Sequence, residues 1–364
     1  MTRVLHVLDK ISVDSGVSAV VMNYYNKLDH KKLTFDFMLN EDLDAETRAY
    51  IEGNGSKIFI MPGLRVANLF KYIRALRAFY KAHDYRIVHG HVANSAVFYL
   101  GLARKKVPFR IIHSHNTMSS DIFWKRIRNW VLTRFIKRVA NRYMACSERA
   151  AMFLFGSSDN VTIINNAIDI ERFLYDEKKR ERIRHELSID DKQVIGHIGR
   201  FSAQKNHGFL IEVFSKLHKE NPNVILLLIG NGELYNGVVQ KVKERKLDDA
   251  VIFTGSVSNV DDYMNAMDVF VLPSLFEGLP LTGVEAQING LPCFFSSEIT
   301  KEIQITDSAR FLLLSDTKIW CDEIAHVLGQ GRADKSDIQM QAFDINVQVK
   351  GLMEYYGSLE KGSA

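Results

Sequence analysis

Two carboxylates, Glu277 and Glu285, stand eight residues apart in FEGLPLTGVEAQINGLP, residues 276–292, around a Gly-Leu-Pro turn. The apolar run before them, DVFVLPS, predicts a buried strand, and Pro280 suits the first position of a helix, where a missing N–H costs nothing. A strand, a glycine turn and a new helix N-terminus leave unpaired amides beside Glu277. That corner suits phosphate, with carboxylates near enough to hold hydroxyls. An ordinary strand-to-helix connection with two solvated glutamates would read the same way, so the decision falls to other parts of the chain.

In GRFSAQKN, residues 199–206, Arg200 and Lys205 follow the run VIGHI. Two fixed cations at a crossover can neutralise a diphosphate, Arg as a bidentate fork and Lys as a point charge. The segment is not a Walker A loop and the chain has no G-x-G-x-x-G, which argues against P-loop hydrolysis and against a dinucleotide oxidoreductase. Asn231 and Gly232 follow VILLLI, and Gly255 ends VIFTG; glycine at these places lets a ligand approach the backbone, and plain turns would use it too. Gly16 follows the first apolar run. His89 and His91, and His113 and His115, form two H-x-H pairs at later run ends. Residues two apart on a strand share a face, so each pair can aim both rings one way. One reading is a zinc or di-metal site with Asp84 or Asp121 as carboxylate; the other is one histidine serving a sugar while the rest pack.

Strands are predicted at 4–8, 35–39, 57–60, 87–91, 110–113 and 142–146, then at 194–198, 224–229, 251–254, 269–272 and 293–295, with helical stretches between most of them. Such alternation predicts an α/β chain with two doubly wound, Rossmann-like domains, and binding beyond the carboxyl ends of the strands. The charged stretch YDEKKRERIRHELSIDDK, 175–192, is the expected boundary. It divides an N-terminal domain, 1–175, from a C-terminal one, 176–340, and a helix at about 341–357 returns to the first.

The 364 residues are 46% hydrophobic and 25% charged, ordinary for a soluble protein of about two domains. Three scattered cysteines, Cys146, Cys293 and Cys321, suggest neither disulfides nor a thiolate cluster, hence a reducing compartment. No run approaches the roughly 20 apolar residues of a membrane span, and a cytoplasmic protein is expected. The net charge of +4 hides an asymmetry: residues 1–172 carry 26 Lys and Arg against 15 Asp and Glu, and the rest 21 against 28. Two amphipathic stretches, 68–83 and 123–143, hold much of the excess, the second with seven basic residues and no acidic one. They read either as core-packed helices with solvated basic faces or as attachment to an anionic membrane surface. Nucleic acid is not an expected partner, since no recognised module accompanies the charge.

Taken in order, INNAIDIERF, GRFSAQKN, LIGNGEL, VIFTGSV and DVFVLPSLFEGLPLTGVEAQINGLPC resemble retaining glycosyltransferase family 4, of the GT-B fold, in the branch that builds bacterial exopolysaccharide and capsule. The resemblance spans nearly the whole chain and is strongest over 147–307. It implies two Rossmann-like domains facing each other across a cleft, the second holding a nucleotide sugar. By resemblance, Arg200 and Lys205 hold the diphosphate together with the amides of Leu281 and Thr282, Glu285 grips the ribose, and Glu277 the transferred sugar. Gly16, Asn231, Gly232, Val257, Gly278, Leu279 and Pro280 complete the donor site. The family's active-site histidine falls on His115, with His91, His113 and Asn116 on the acceptor side. Neither a protein nucleophile nor a metal or other cofactor is implied; attack is from the front face, the donor phosphate helping to remove the acceptor proton.

The expected function is therefore transfer of a hexose or N-acetylhexosamine, from a UDP-sugar, to a lipid-linked saccharide at the inner membrane face. A GT-B sugar-nucleotide epimerase and a non-catalytic partner subunit are the alternatives. The second is kept open by Ser15 and Ser18, which stand where the family commonly has Gly and Glu.

Overall fold

The structure, a computed structural model, describes residues 2–12, 15–115, 133–332 and 340–362. The chain divides into two units, Met1–Ala167 with Asp344–Ala364, and Ile168–Phe343. The first holds seven strands: β1 Thr2–Val7, β2 Leu33–Leu39, β3 Ile58–Ile60, β4 Ile87–Gly90, β5 Phe109–Ser114, β6 Arg142–Ala145 and β7 Val161–Ile163. Their order is β3-β2-β1-β4-β5-β6-β7, all parallel. The second holds β8 Gln193–Ile198, β9 Val224–Ile229, β10 Val251–Gly255, β11 Val269–Leu272, β12 Cys293–Ser296 and β13 Ala309–Leu312, in the order β10-β9-β8-β11-β12-β13, again all parallel.

Parallel neighbours need crossovers, and the helices supplying them cover both sheet faces. Hence β2 and β9 are buried along their whole length; β9, VILLLI, reads as an unbroken apolar run, whereas β2, LTFDFML, buries Asp36 against Arg3 at 2.8 Å. In the second unit Phe214, Phe294 and Trp320 are fully enclosed, and the Trp320 indole N–H donates to the Leu313 carbonyl at 2.9 Å. Strand order reverses between β1 and β4 and between β8 and β11. At such switch points successive crossovers leave in opposite directions and open a crevice beyond the strand ends.

The units part at Ala167/Ile168, not at residues 175/176. The charged stretch read as a boundary is a helix, Glu177–Glu186, fastened to the second unit by ion pairs. Lys179 reaches Asp261 at 2.7 Å and Asp262 at 2.9 Å, Arg182 reaches Asp262 at 2.8 Å, and Arg180 reaches Asp268 at 2.6 Å. Their acidic partners lie some 80 residues on, so in the sequence the run looks solvated.

The terminal helix, Ile345–Lys361, is capped by Asp344, ends at Gly362 with φ 72°, and packs on β1 and on the helix Gly16–Asn26 of the first unit. Tyr356, on its inner face, is fully buried. Two strands absent from the sequence reading, β7 and β13, are short sheet edges with incompletely buried faces.

Candidate active site

In the second unit the loops after β8 and β11 clasp each other. The Lys205 ammonium donates to Glu277 Oε1 at 2.6 Å, and the Gln204 amide donates to Glu277 Oε2 at 3.0 Å and to the Phe276 carbonyl at 2.9 Å. The side chains of Lys205 and Glu277 are only 15% and 9% exposed. The solvated-glutamate reading thus fails: the carboxylate is a buried counter-ion. Gln204 was missed, although it lies between the two cations of GRFSAQKN. Arg200 differs from Lys205, pairing with Glu233 at 3.0 Å on the open surface, where both side chains are more than half exposed. A pair of that kind contributes about 0–1 kcal/mol, so exchanging Glu233 for a phosphate costs the protein little.

Glycine is required nearby for a reason other than ligand access. Gly230 has φ 133°, and a Cβ there would lie 2.2 Å from the Gly199 carbonyl oxygen; a Cβ on Gly232 would lie 2.5 Å from the Phe201 carbonyl oxygen. The loops after β8 and β9 approach each other backbone to backbone, with Phe201 N–H donating to the Asn231 carbonyl at 3.0 Å and Leu234 N–H to that of Phe201 at 2.9 Å. Gly232→Ala is expected to destabilise the second unit by roughly 2–3 kcal/mol. Gly237→Ala, in the helix Tyr235–Glu244 with nothing near its Cβ position, is expected to stabilise by up to about 1 kcal/mol. Thermal unfolding of the two variants checks the contrast, and equal shifts would contradict this packing.

Beyond β11, Pro280 is the N-cap and not the first helical residue; the helix runs Leu281–Ile288. Its first amides, those of Leu281 and Thr282, belong to the unpaired set of a helix start. Two buried hydroxyls, Thr282 Oγ1 on this helix and Ser274 Oγ just after β11, have no hydrogen-bond partner among the described residues. Gly278, Leu279 and Pro280 are buried in the same turn, while Asn231 is exposed and Val257 half-buried. Glu285 is buried one turn into the helix. Burial pushes its carboxyl up to about 7, against the opposing charge of Arg172 and with Asp261 adding to the rise. A carboxyl poised there can accept or donate to a hydroxyl.

In the first unit, Ser15 caps the helix Gly16–Asn26, its side chain accepting from Ser18 N–H. The buried Ser18 hydroxyl donates to the Lys10 carbonyl at 2.7 Å, so this departure from the family pattern is built into the loop. Among the described residues, a Cβ on Gly16 would meet nothing within 4 Å.

The H-x-H pairs do each aim both rings one way: His89 and His91 stack at 4.5 Å between centroids, His113 and His115 at 4.0 Å. His6, on β1 in register with His89, joins them. Sequence reading missed it because a lone histidine in VLHVL looks like core. Burial lowers every one of the five, His6 to about 3 and His115 to about 4. The Asn166 side chain partly opposes this at His115. Neutral imidazoles can bind metal, and the nitrogens of His6, His89 and His91, and of His91, His113 and His115, lie within 4.8 Å of one another. Among the described residues no carboxylate joins either group: Asp84 pairs with Lys106 at the surface, and Asp121 lies outside the described residues. Asn116 lies outside them as well.

Of the two basic stretches, the first forms the helix Leu69–Ala82, which buries Tyr72, Leu76, Phe79 and Tyr80. Its outer face exposes Lys71, Arg74, Arg77 and Lys81 beside Phe70, which is 90% exposed. Residues 123–132 of the second lie outside the described residues; the helix Ile136–Val139 and β6 account for part of the remainder. No described helix is long and apolar enough to cross a membrane.

Comparison with known proteins agrees with this arrangement. Residues 15–172 match the family model Glycosyltransferase Family 4, and residues 172–312 match Glycosyl transferases group 1. The chain is 32% identical to EpsF of Bacillus subtilis (strain 168), named as a glycosyltransferase, over 99% of this chain and 97% of that one. It is 25% identical to UDP-Gal:alpha-D-GlcNAc-diphosphoundecaprenol alpha-1,3-galactosyltransferase of Escherichia coli, covering 78% and 76%. To the capsular polysaccharide biosynthesis glycosyltransferase CapH of Staphylococcus aureus it is also 25% identical, covering 98% and 99%. Among solved structures, Anabaena Alr3699/HepE in complex with UDP and glucose superposes with a TM-score of 0.80 at 16% identity, covering 98% and 100%. The two parallel sheets are those of the GT-B fold, and the chain belongs to glycosyltransferase family 4, among the glycosyltransferases of exopolysaccharide and capsule biosynthesis.

Proposed function

We propose that the protein is a retaining, metal-independent transferase that moves a hexose or N-acetylhexosamine from a UDP-sugar to a lipid-linked saccharide. The observation that carries this reading is the clasp at the β8/β11 switch point: Lys205 held on Glu277, Arg200 exposed in the same loop after β8, and a helix start whose Thr282 hydroxyl has no partner among the described residues. As the donor bond breaks, charge builds on the leaving diphosphate, and fixed cations and amides stabilise it without reorganising. Arg200 and Lys205 would supply what a metal ion supplies elsewhere. Glu285 would hold the ribose and Glu277 the sugar, while His115, neutral at working pH, would face the acceptor.

A UDP donor and a lipid-linked acceptor are supported by the name of the Escherichia coli relative, and UDP also by the Anabaena complex. Phe70 and the basic residues around it suit an anionic membrane surface, where such an acceptor lies. The test is transfer from a panel of UDP-sugars to undecaprenyl-diphosphate-linked GlcNAc in vesicles with and without anionic lipid, with EDTA present. A product with the donor's anomeric configuration, formed faster on anionic vesicles, is expected. Interconversion of the UDP-sugars without transfer would mark an epimerase, and no turnover of any donor would point to a partner subunit.

A further inference from the structure

The five buried histidines of the first unit, with Tyr356, make one unbranched hydrogen-bonded chain. His115 Nε2 meets His91 Nδ1 at 2.8 Å, and His91 Nε2 meets His6 Nδ1 at 3.0 Å. His6 Nε2 meets the Tyr356 hydroxyl at 3.4 Å, and the same hydroxyl meets His89 Nδ1 at 2.5 Å. His89 Nε2 then meets His113 Nδ1 at 3.2 Å. The two ring nitrogens left over, His115 Nδ1 and His113 Nε2, are the ends of the chain, with the Asn166 side chain lying against His115.

We propose that Tyr356, His6, His89, His91 and His113 are positioning residues that fix which nitrogen of His115 carries its proton. The inference rests on the reading of His115 as the residue facing the acceptor. A neutral imidazole has one N–H and one bare nitrogen, and a phenol has one O–H. A chain of such groups is fully satisfied in two arrangements only. If Tyr356 donates to His6, all five histidines carry the proton on Nδ1, and His115 presents an N–H at its free nitrogen. If Tyr356 donates to His89, all five carry it on Nε2, and His115 presents a bare lone pair able to accept a proton from a hydroxyl. Any mixed arrangement leaves a buried N–H or O–H unpaired, or sets two lone pairs against each other. Each such fault leaves a buried polar group without a partner, which folded proteins avoid.

The neutral state that this requires follows from burial, which lowers every ring and holds the Tyr356 hydroxyl protonated. The switch residue sits on the terminal helix, some 240 residues from His115 in sequence, so the helix that closes the unit would also set the proton pattern of its site.

Long-range proton–nitrogen spectra of the full chain labelled with nitrogen-15 histidine, at neutral pH, test this directly. One shared tautomer for His6, His89, His91, His113 and His115 is the expected result, and a mixture of tautomers in the wild type would overturn the proposal. Tyr356→Phe keeps the ring and removes the hydroxyl. It is expected to uncouple the His6–His91–His115 segment, so that those three rings lose their single tautomer, and to lower kcat about tenfold with KM for the donor unchanged. A folded Tyr356→Phe with wild-type tautomers and kcat would contradict the proposal; should the variant fail to fold, the wild-type spectrum decides alone. Stoichiometric zinc, cobalt or nickel retained after purification, with nitrogen shifts typical of coordination, would also overturn it. Absence of transfer by the wild type would count against the function proposed above, while the spectra would still judge the chain.

Discussion

Replacing Lys205 by Met together with Glu277 by Gln is expected to leave the second unit folded and to reduce sugar transfer by about 10³-fold or more. The double variant is the informative one. Lys205→Ala alone strands Glu277, 9% exposed, without its counter-ion, and breaking a buried pair from one side costs about 3–5 kcal/mol. A loss of activity in that single variant would therefore confound unfolding with chemistry. Neutral side chains of similar size on both sides leave an uncharged contact, with the Gln204 amide still able to donate to the side-chain oxygen at position 277, and thermal stability should return to within about 1–2 kcal/mol of the wild type. Lys205→Arg keeps the charge but not its compact shape, and should retain part of the rate. Initial transfer rates and unfolding midpoints of the three proteins check these outcomes. A double variant that transfers sugar within tenfold of the wild-type rate would show the pair to be a structural clasp alone.

Acidification should unfold the first unit before the second. In the folded protein, burial holds the five clustered histidines below their ordinary value of 6.5, and His197 and His207 of the second unit likewise. The unfolded chain binds more protons than the folded one below pH 6.5, so stability rises with pH across the window from about 4 to 6.5. These contributions are intact above 6.5 and fall away beneath it. At pH 5.5 each such ring removes on the order of 1 kcal/mol, and the five together a sum comparable with the whole stability of a domain. The second unit has only two such rings, and Glu285 acts in the opposite direction. Its carboxyl, raised to about 7, costs stability as pH rises from 4.5 towards 7, and acid relieves that cost. Hydrogen exchange followed from pH 7.5 to 4.5 should show the first sheet losing protection near pH 5.5, ahead of the second. Loss of both sheets together, or retention of the first to pH 4, would contradict the buried neutral histidines.

What the sequence displays of this molecule follows burial. Strands enclosed on both faces, such as β9 and β11, appear at their true bounds because each residue is apolar. The edge strands β7 and β13, only partly enclosed, have no comparable signature. Partners far apart in the chain are illegible for a related reason. Nothing in YDEKKRERIRHELSIDDK announces that Asp261, Asp262 and Asp268 will neutralise it, so a helix of the second unit reads as a domain boundary. The cations and carboxylates of the second unit were visible as a motif, whereas the direct Lys205–Glu277 contact and the role of Gln204 were not. Likewise the H-x-H spacing announced two shared faces, but His6 and Tyr356 join them only through sheet register and the terminal helix.

Binding of a UDP-sugar without a metal is the central claim, and calorimetric titration of the full chain with UDP, GDP and their hexose and N-acetylhexosamine conjugates, with and without EDTA, tests it most directly. The account predicts saturable binding of a UDP-sugar that EDTA leaves unchanged and that the Lys205→Met, Glu277→Gln variant abolishes. Failure of every UDP-sugar to bind, or binding that chelation removes, would contradict it.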